Sequence, residues 1–360
     1  MRTDSPGLVI AATKSSYVHL SVEPWHWVAL IAFVVTLLLV DLLLFHRRAH
    51  KISVREAAIE SAAWISIGLA FTGVIYLLAD PGDKGAAVGE YLAAFLIEQS
   101  LSVDNVFVWA VILTYFAVPA KYQFRVLFWG VFGAIALRGV FIFAGVALIR
   151  TFAATLAVFG LILLYTAFKL AFSDDDSIDP NSSIALRIVR RIVPSTPDLH
   201  GQRLFVKEHG KLLATPLFAV LVLIEGTDII FAFDSIPAIF GVTQHVFIVF
   251  SAVVFAMLGL RALYFLVGGM QDRFRYLNYG LAVILAFVGI KLILGFTADT
   301  FAFPVDEFHP PVWMSLGVII GTLVVAIVAS VRADAKDAAK GVEPPQRAAP
   351  DRGGSATDEP

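Results

Sequence analysis

The chain has 360 residues, of which 58% are hydrophobic and only 16% charged, and it carries a net charge of −2. A soluble globular domain holds about 25% charged residues, so the composition argues against a soluble fold, and the near-neutral charge gives no field for nucleic acid. Cysteine is absent, which removes disulfides, thiolate metal sites and cysteine nucleophiles.

A helix needs roughly 20 mostly apolar residues to cross the hydrocarbon core of a bilayer. In chain order, nine stretches meet that length: 25–45, 61–79, 88–118, 126–149, 152–172, 212–240, 246–269, 276–296 and 312–331. The expected fold is therefore an all-α membrane protein of about nine transmembrane helices, with a transmembrane domain over 25–331. Residues 1–24 show no basic stretch, short apolar core and cleavage site in succession, so they read as an extracytoplasmic segment rather than a signal peptide. Residues 332–360, ending in GGSATDEP, read as a disordered tail.

Lys and Arg orient the stack. Nineteen of them fall in one set of loops, among them Arg47, Arg48, Lys51, Lys121, Arg187, Arg190, Arg191 and Arg273. The opposite set holds only Arg2, Lys14, Lys84 and Arg150. Cytoplasmic loops carry the basic excess, which places the N-terminus outside and the C-terminus in the cytoplasm. The long cytoplasmic loop 173–211 opens with SDDDSIDPNSS and continues as IALRIVRRIV. The second piece reads as an amphipathic helix on the membrane surface, and the aspartate run as a solvated segment.

Four basic residues remain, and all lie inside predicted spans: Arg138, Lys169, Arg261 and Lys291. Arg138 and Lys169 are 31 residues apart, Arg261 and Lys291 are 30 apart. Each pair follows an acidic helix, LIEQSLSVDNVFV with Glu98 and Asp104, and IEGTDIIFAFDSIPA with Asp228 and Asp234. Both acid pairs are six residues apart. This spacing predicts two three-helix units, at about 88–172 and 212–296. An odd number of helices makes the second unit enter from the opposite side, giving two inverted repeats. In transporters of that architecture the substrate site lies near the midplane where the repeats meet.

A carboxylate at mid-bilayer depth costs roughly 2.5–3.5 kcal/mol on insertion scales, so Glu98, Asp104, Glu225, Asp228 and Asp234 need an explanation. One is internal pairing with the four buried cations; it leaves unexplained the oxygen-bearing Gln99, Ser100, Ser102, Asn105, Thr227 and Ser235 around them. The other is a cation site. Glu225 and Asp228, three apart, share one helical face. Six residues turn a helix by about 600° and advance it by about 9 Å, so Glu98 and Asp104 reach one ion only if the helix breaks; otherwise there are two sites along a path. Pro237 favours a break near Asp234 by removing the bond to the carbonyl of Phe233. All candidate donors are hard oxygens, which suit Mg²⁺, Ca²⁺ or Mn²⁺ rather than zinc or copper. Residue chemistry leaves these three ions open.

The segments DLLLFHRRAHKISVREA, EQSLSVDNVFV and FAFDSIPA, in this order, closely resemble the TerC/Alx family of integral membrane proteins over about residues 25–330. The resemblance implies an inner-membrane protein tied to manganese efflux, with tellurium-resistance proteins as relatives. It places the family's acidic positions on Glu98, Asp104, Glu225, Asp228 and Asp234, beside which Asn105 completes the expected metal set. Asp41 belongs to the first motif; local pairing with the basic cluster at His46–Arg48 competes with a role in the ion path. Arg138, Lys169, Arg261 and Lys291 read as counter-charges. The leading expectation is a secondary transporter that exports Mn²⁺ as cargo, with no prosthetic group and with the lipid bilayer as surroundings. Export of Ca²⁺ or another divalent ion, and a membrane scaffold linked to tellurium resistance, are the alternatives. No P-loop, H-E-x-x-H or G-x-S-x-G pattern supports an ATPase or a hydrolase.

Overall fold

The computed structural model describes residues 18–45, 52–152, 154–172, 196, 201, 203–208, 211–267, 276–301 and 312–339. Among these, nine helices are long and apolar enough to cross a membrane. They are α1 (Pro24–Leu43), α2 (Val54–Leu78), α3 (Lys84–Tyr115), α4 (Ala120–Thr151), α5 (Ala154–Phe172), α6 (Pro216–Phe240), α7 (Val246–Leu266), α8 (Leu277–Thr297) and α9 (Val312–Ala333).

Local chemistry sets several boundaries. Pro24 occupies the first turn of α1, where its missing N–H costs nothing. The far end of α1 widens into a π-helical turn over Asp41–Phe45. Ser53 and Glu56 form a reciprocal capping box that starts α2 at Val54, several residues ahead of the 61 expected from hydropathy alone. α3 and α4 are joined by a tight turn in which Ala117 adopts a φ of 47°, and the Val118 N–H returns to the Leu113 carbonyl.

Three expectations need correction. The stretch 212–214 is not helical: β1 (Phe205–Glu208) and β2 (Lys211–Ala214) pair antiparallel, with Phe205 opposite Ala214. The helix starts only at Pro216, and the Thr215 hydroxyl donates to the Arg203 carbonyl at 2.7 Å, tying the hairpin to the start of α6. The predicted break at Pro237 does not occur, since α6 continues through it to Phe240. Pro237 sits in the last turn, so the helix loses one bond and little remains beyond it to swing away. At the other end of the chain, α9 extends past Arg332 as helix to Ala339, where Ala, Arg, Lys and Asp permit helix outside the bilayer. The predicted surface helix at IALRIVRRIV and the aspartate run before it lie outside the described residues, as does the tail from 340.

α7 is the most enclosed span and α3 the next. α3 packs on α7 as α6 packs on α4; α3 also meets α6, α4 meets α7, and α5 meets α8. Exchange of helices three, four and five with six, seven and eight maps these five pairs onto one another, whereas the contact of α5 with α6 has no equal counterpart between α8 and α3. α5 and α8 approach through Gly160 and Gly289: a Cβ at Gly160 would lie 2.8 Å from the Gly289 carbonyl oxygen. Small residues let membrane helices close to backbone contact in this way. α2 lies against α7 and α9 against α3 and α8, outside the core. Leu77, Val140, Tyr165, Phe168 and Phe172 point outward and are strongly exposed, a surface suited to lipid chains rather than water.

Candidate cation site

At the centre of the core, α3, α4 and α6 bring together Glu98, Arg138 and Asp228, none more than 1% exposed. The Arg138 guanidinium organises them. Its Nε donates to Asp228 Oδ2 at 3.1 Å and its Nη2 to Asp228 Oδ1 at 2.8 Å. Nη1 donates to Glu98 Oε1 and, at 3.1 Å, to Ser235 Oγ. With its amide oxygen turned toward Arg138, Asn105 accepts from Nη2 at 3.1 Å while its nitrogen donates to the Leu101 carbonyl at 3.3 Å. A guanidinium has five N–H donors in a rigid fork, and here each meets an oxygen. Two carboxyl groups thus share one guanidinium. Glu98 Oε2 is buried and has no hydrogen-bond partner among the described residues.

Glu98 and Asp228 are the first acids of the two six-spaced pairs, so each half of the core contributes one carboxylate to one buried cation. The second acids go elsewhere. Asp234 is half-buried and accepts from the Thr166 hydroxyl of α5 at 2.7 Å. Asp104 is half-buried on α3. Because α3 and α6 run unbroken, the six-residue separation keeps first and second acids on different faces, as the helical geometry demands. Glu225 lies three residues before Asp228, and its carboxylate presses against Gly133 of α4, where an added Cβ would overlap it. Its Oε2 takes no hydrogen bond from the described residues. Among the described residues, no three acid or histidine side chains form a ready-made metal cluster. Of the other expected oxygen donors, the Ser100 and Thr227 hydroxyls turn back to the carbonyls of Leu96 and Ile224 on their own helices.

Two further buried charge clusters flank the centre. Arg261 of α7 forms a two-point pair with Asp41 of α1, Nη2 to Oδ1 at 2.5 Å, and lies 3.7 Å from Glu60 of α2. The sequence suggested only a local partner for Asp41; the structure gives it one 220 residues away. Glu90 of α3, 4% exposed, accepts from the Thr243 hydroxyl at 2.6 Å. Lys291 donates to Ser315 at 3.3 Å, while Lys169 is exposed on α5. Glu60 and Glu90 were not singled out from the sequence. Glu90 lies within the predicted span 88–118 and is found by its charge alone; Glu60 also needs the capping box that extends α2.

The pattern of the Integral membrane protein TerC family matches residues 83–338, which span α3 to α9 and every member of the central cluster. The chain belongs to the TerC family of integral membrane proteins. Its relatives there include the uncharacterized membrane protein STKORF319 of Myxococcus xanthus, 43% identical over 86% of this chain and 92% of that protein. Another is Alx of Escherichia coli (strain K12), for which a role as a membrane-bound redox modulator has been proposed; it is 43% identical over 85% of this chain and 94% of its own length. The uncharacterized membrane protein Mb2742 of Mycobacterium bovis is 43% identical over 74% of this chain and 68% of its own. No solved structure matches this TerC-family chain.

Proposed function

We propose that this TerC-family protein is a secondary transporter that exports divalent manganese across the bacterial inner membrane, with its N-terminus outside and its C-terminus in the cytoplasm. The observation that carries the reading is the convergence of Glu98 and Asp228, one from each half of the core, on a single fully buried cation position. A divalent ion there would neutralise two carboxylates, which one guanidinium does not. The available donors are carboxylate, amide and hydroxyl oxygens, the set that hard divalent ions prefer. Mg²⁺ gives up its water reluctantly and demands a strict octahedron, which disfavours it in a path that requires dehydration; the family resemblance then selects Mn²⁺ over Ca²⁺. The Escherichia coli relative's name speaks of redox modulation; a thiol-based form of such a role has no cysteine to act through in this chain.

A scaffold is the second reading, favoured by one observation: Arg138 and Arg261 are both held in internal ion pairs. Flux separates the two. Inverted membrane vesicles, whose outer face is cytoplasmic, should accumulate Mn²⁺ when they contain the protein, and proteoliposomes of the purified chain should do the same. Vesicles that take up no Mn²⁺ above the protein-free rate refute transport; uptake of Ca²⁺ but not Mn²⁺ keeps the site and changes the cargo.

The packing of Glu225 supplies a sharper expectation. Gly133→Ala places a methyl group where the Glu225 carboxylate now lies. The clash is with the far end of a flexible side chain, so the carboxylate should swing aside and Mn²⁺ flux should fall several-fold in a protein that still inserts. Flux within twofold of the parent chain at equal protein would show that Glu225 plays no part in the path.

A further inference from the structure

We infer that the Arg138 guanidinium is a tethered substitute for the cargo, filling the oxygen cage of Glu98, Asp228, Ser235 and Asn105 whenever the divalent ion is not in it. This rests on the transport reading above and adds the means by which the empty carrier returns.

The geometry is that of a bound cation rather than of an ordinary counter-charge. A salt bridge needs one carboxylate; Arg138 spends all five donors on oxygens from two helices that belong to different halves of the core. Those oxygens, two carboxylates with an amide and a hydroxyl, are the donor set a hard divalent ion would use. Cargo and guanidinium need the same atoms, so their occupancy is mutually exclusive. Arg261, which stands at the matching place in the second half, does not enter the cage; it is held by Asp41 of α1. One arginine has therefore been drawn off by a helix outside the core, and the other is left at the centre.

Mutual exclusion has two consequences. Apparent affinity for the cargo is reduced by the fraction of molecules in which the guanidinium has left the cage. Where such a competent state is a minor one of about 0.1–10%, removal of the competitor tightens binding by about tenfold or more. The second consequence concerns turnover. With no ion bound, two buried carboxylates facing each other without a cation would be strongly penalised; Arg138 supplies that cation and lets the unloaded protein change its facing. An Arg138 variant should accordingly carry out Mn²⁺/Mn²⁺ exchange, in which both directions are loaded, yet fail in net export.

The experiment uses the full chain purified and reconstituted, with radiolabelled Mn²⁺ as probe. Arg138→Gln should bind Mn²⁺ at least about tenfold more tightly than the parent and retain exchange while losing net flux. Arg138→Lys keeps the charge but has three donors against five. It should fall between the two in affinity and restore part of the net flux, and it decides the matter should Arg138→Gln not accumulate as folded protein. A purely structural arginine predicts the reverse order, with parent binding best and exchange and net flux falling together. If the parent transports Mn²⁺ and both variants bind it no more tightly, the substitute-cation inference is overturned and the transport reading stands. A parent chain that neither binds nor moves Mn²⁺ overturns both.

Discussion

Asp228→Asn should abolish Mn²⁺ export, with a loss of at least about a hundredfold, while Asp234→Asn should be the milder change. Asp228 is fully buried and gives both carboxylate oxygens to Arg138. Asn keeps the shape but removes the charge and turns one acceptor into an N–H donor facing the guanidinium. Removing one partner of a buried ion pair costs about 3–5 kcal/mol, which corresponds to roughly two to four decades in an equilibrium constant. The same carboxylate is half of the charge that would neutralise a divalent ion. Asp234 is half-buried, accepts from the neutral hydroxyl of Thr166 and, among the described residues, has only the exposed Lys169 as a cationic neighbour, so its loss leaves no buried cation stranded. The six-residue spacing treats the two aspartates as members of one motif, whereas their surroundings rank them. Flux in proteoliposomes, compared at equal amounts of monodisperse protein, measures the ranking. Asp228→Asn at the parent rate would remove the central cluster from the path.

The spans were legible in the sequence because crossing a bilayer is chiefly a matter of apolar length, and length survives any ambiguity of packing. Ends were read less well where local chemistry overrides hydropathy. Ser53 and Glu56 extend α2 through a capping box, and the apolar residues of β1 and β2 look like helix until the hairpin register is known. Pro237 was over-read, since a proline with one turn left after it has little helix to bend. In the site, the spacing made Glu98 and Asp228 the first acids of two like-spaced pairs, yet spacing defines faces and not partners. That both acids would meet the same arginine followed from the helix pairing α3–α6 and α4–α6, which no local pattern encodes. The two arginines look equivalent in the repeat, at matching positions ahead of Lys169 and Lys291. Their different fates depend on Asp41 and Glu60, residues of helices that the repeat does not contain.

That asymmetry sets the last expectation, for the pair Asp41 and Arg261. Arg261 is 3% exposed, held by both oxygens of Asp41, near Glu60 and stacked over the Phe124 ring at 4.3 Å. The pair joins α1 to α7, the most enclosed span. Asp41→Asn would leave a buried guanidinium short of its principal counter-charge, a loss of about 3 kcal/mol of stability even with Glu60 close by. A mild effect, expected for a residue paired only with its own loop, is thus replaced by a large one. Arg261→Gln should cost a similar amount, because it removes the buried cation that both Asp41 oxygens hold. The double variant should recover about 1 kcal/mol or more relative to the sum of the two, the signature of residues in direct contact. Thermal unfolding of the purified protein, with each variant in the same detergent, supplies the cycle; strictly additive losses would show that the pair is not coupled. Mn²⁺ affinity gives the contrast with the centre. Arg261 does not enter the oxygen cage, so its removal should weaken the fold without tightening Mn²⁺ binding, whereas removal of Arg138 should tighten it. Tighter binding in both variants would mean that the two arginines act as one, and that α1 and α2 are part of the path rather than its outer support.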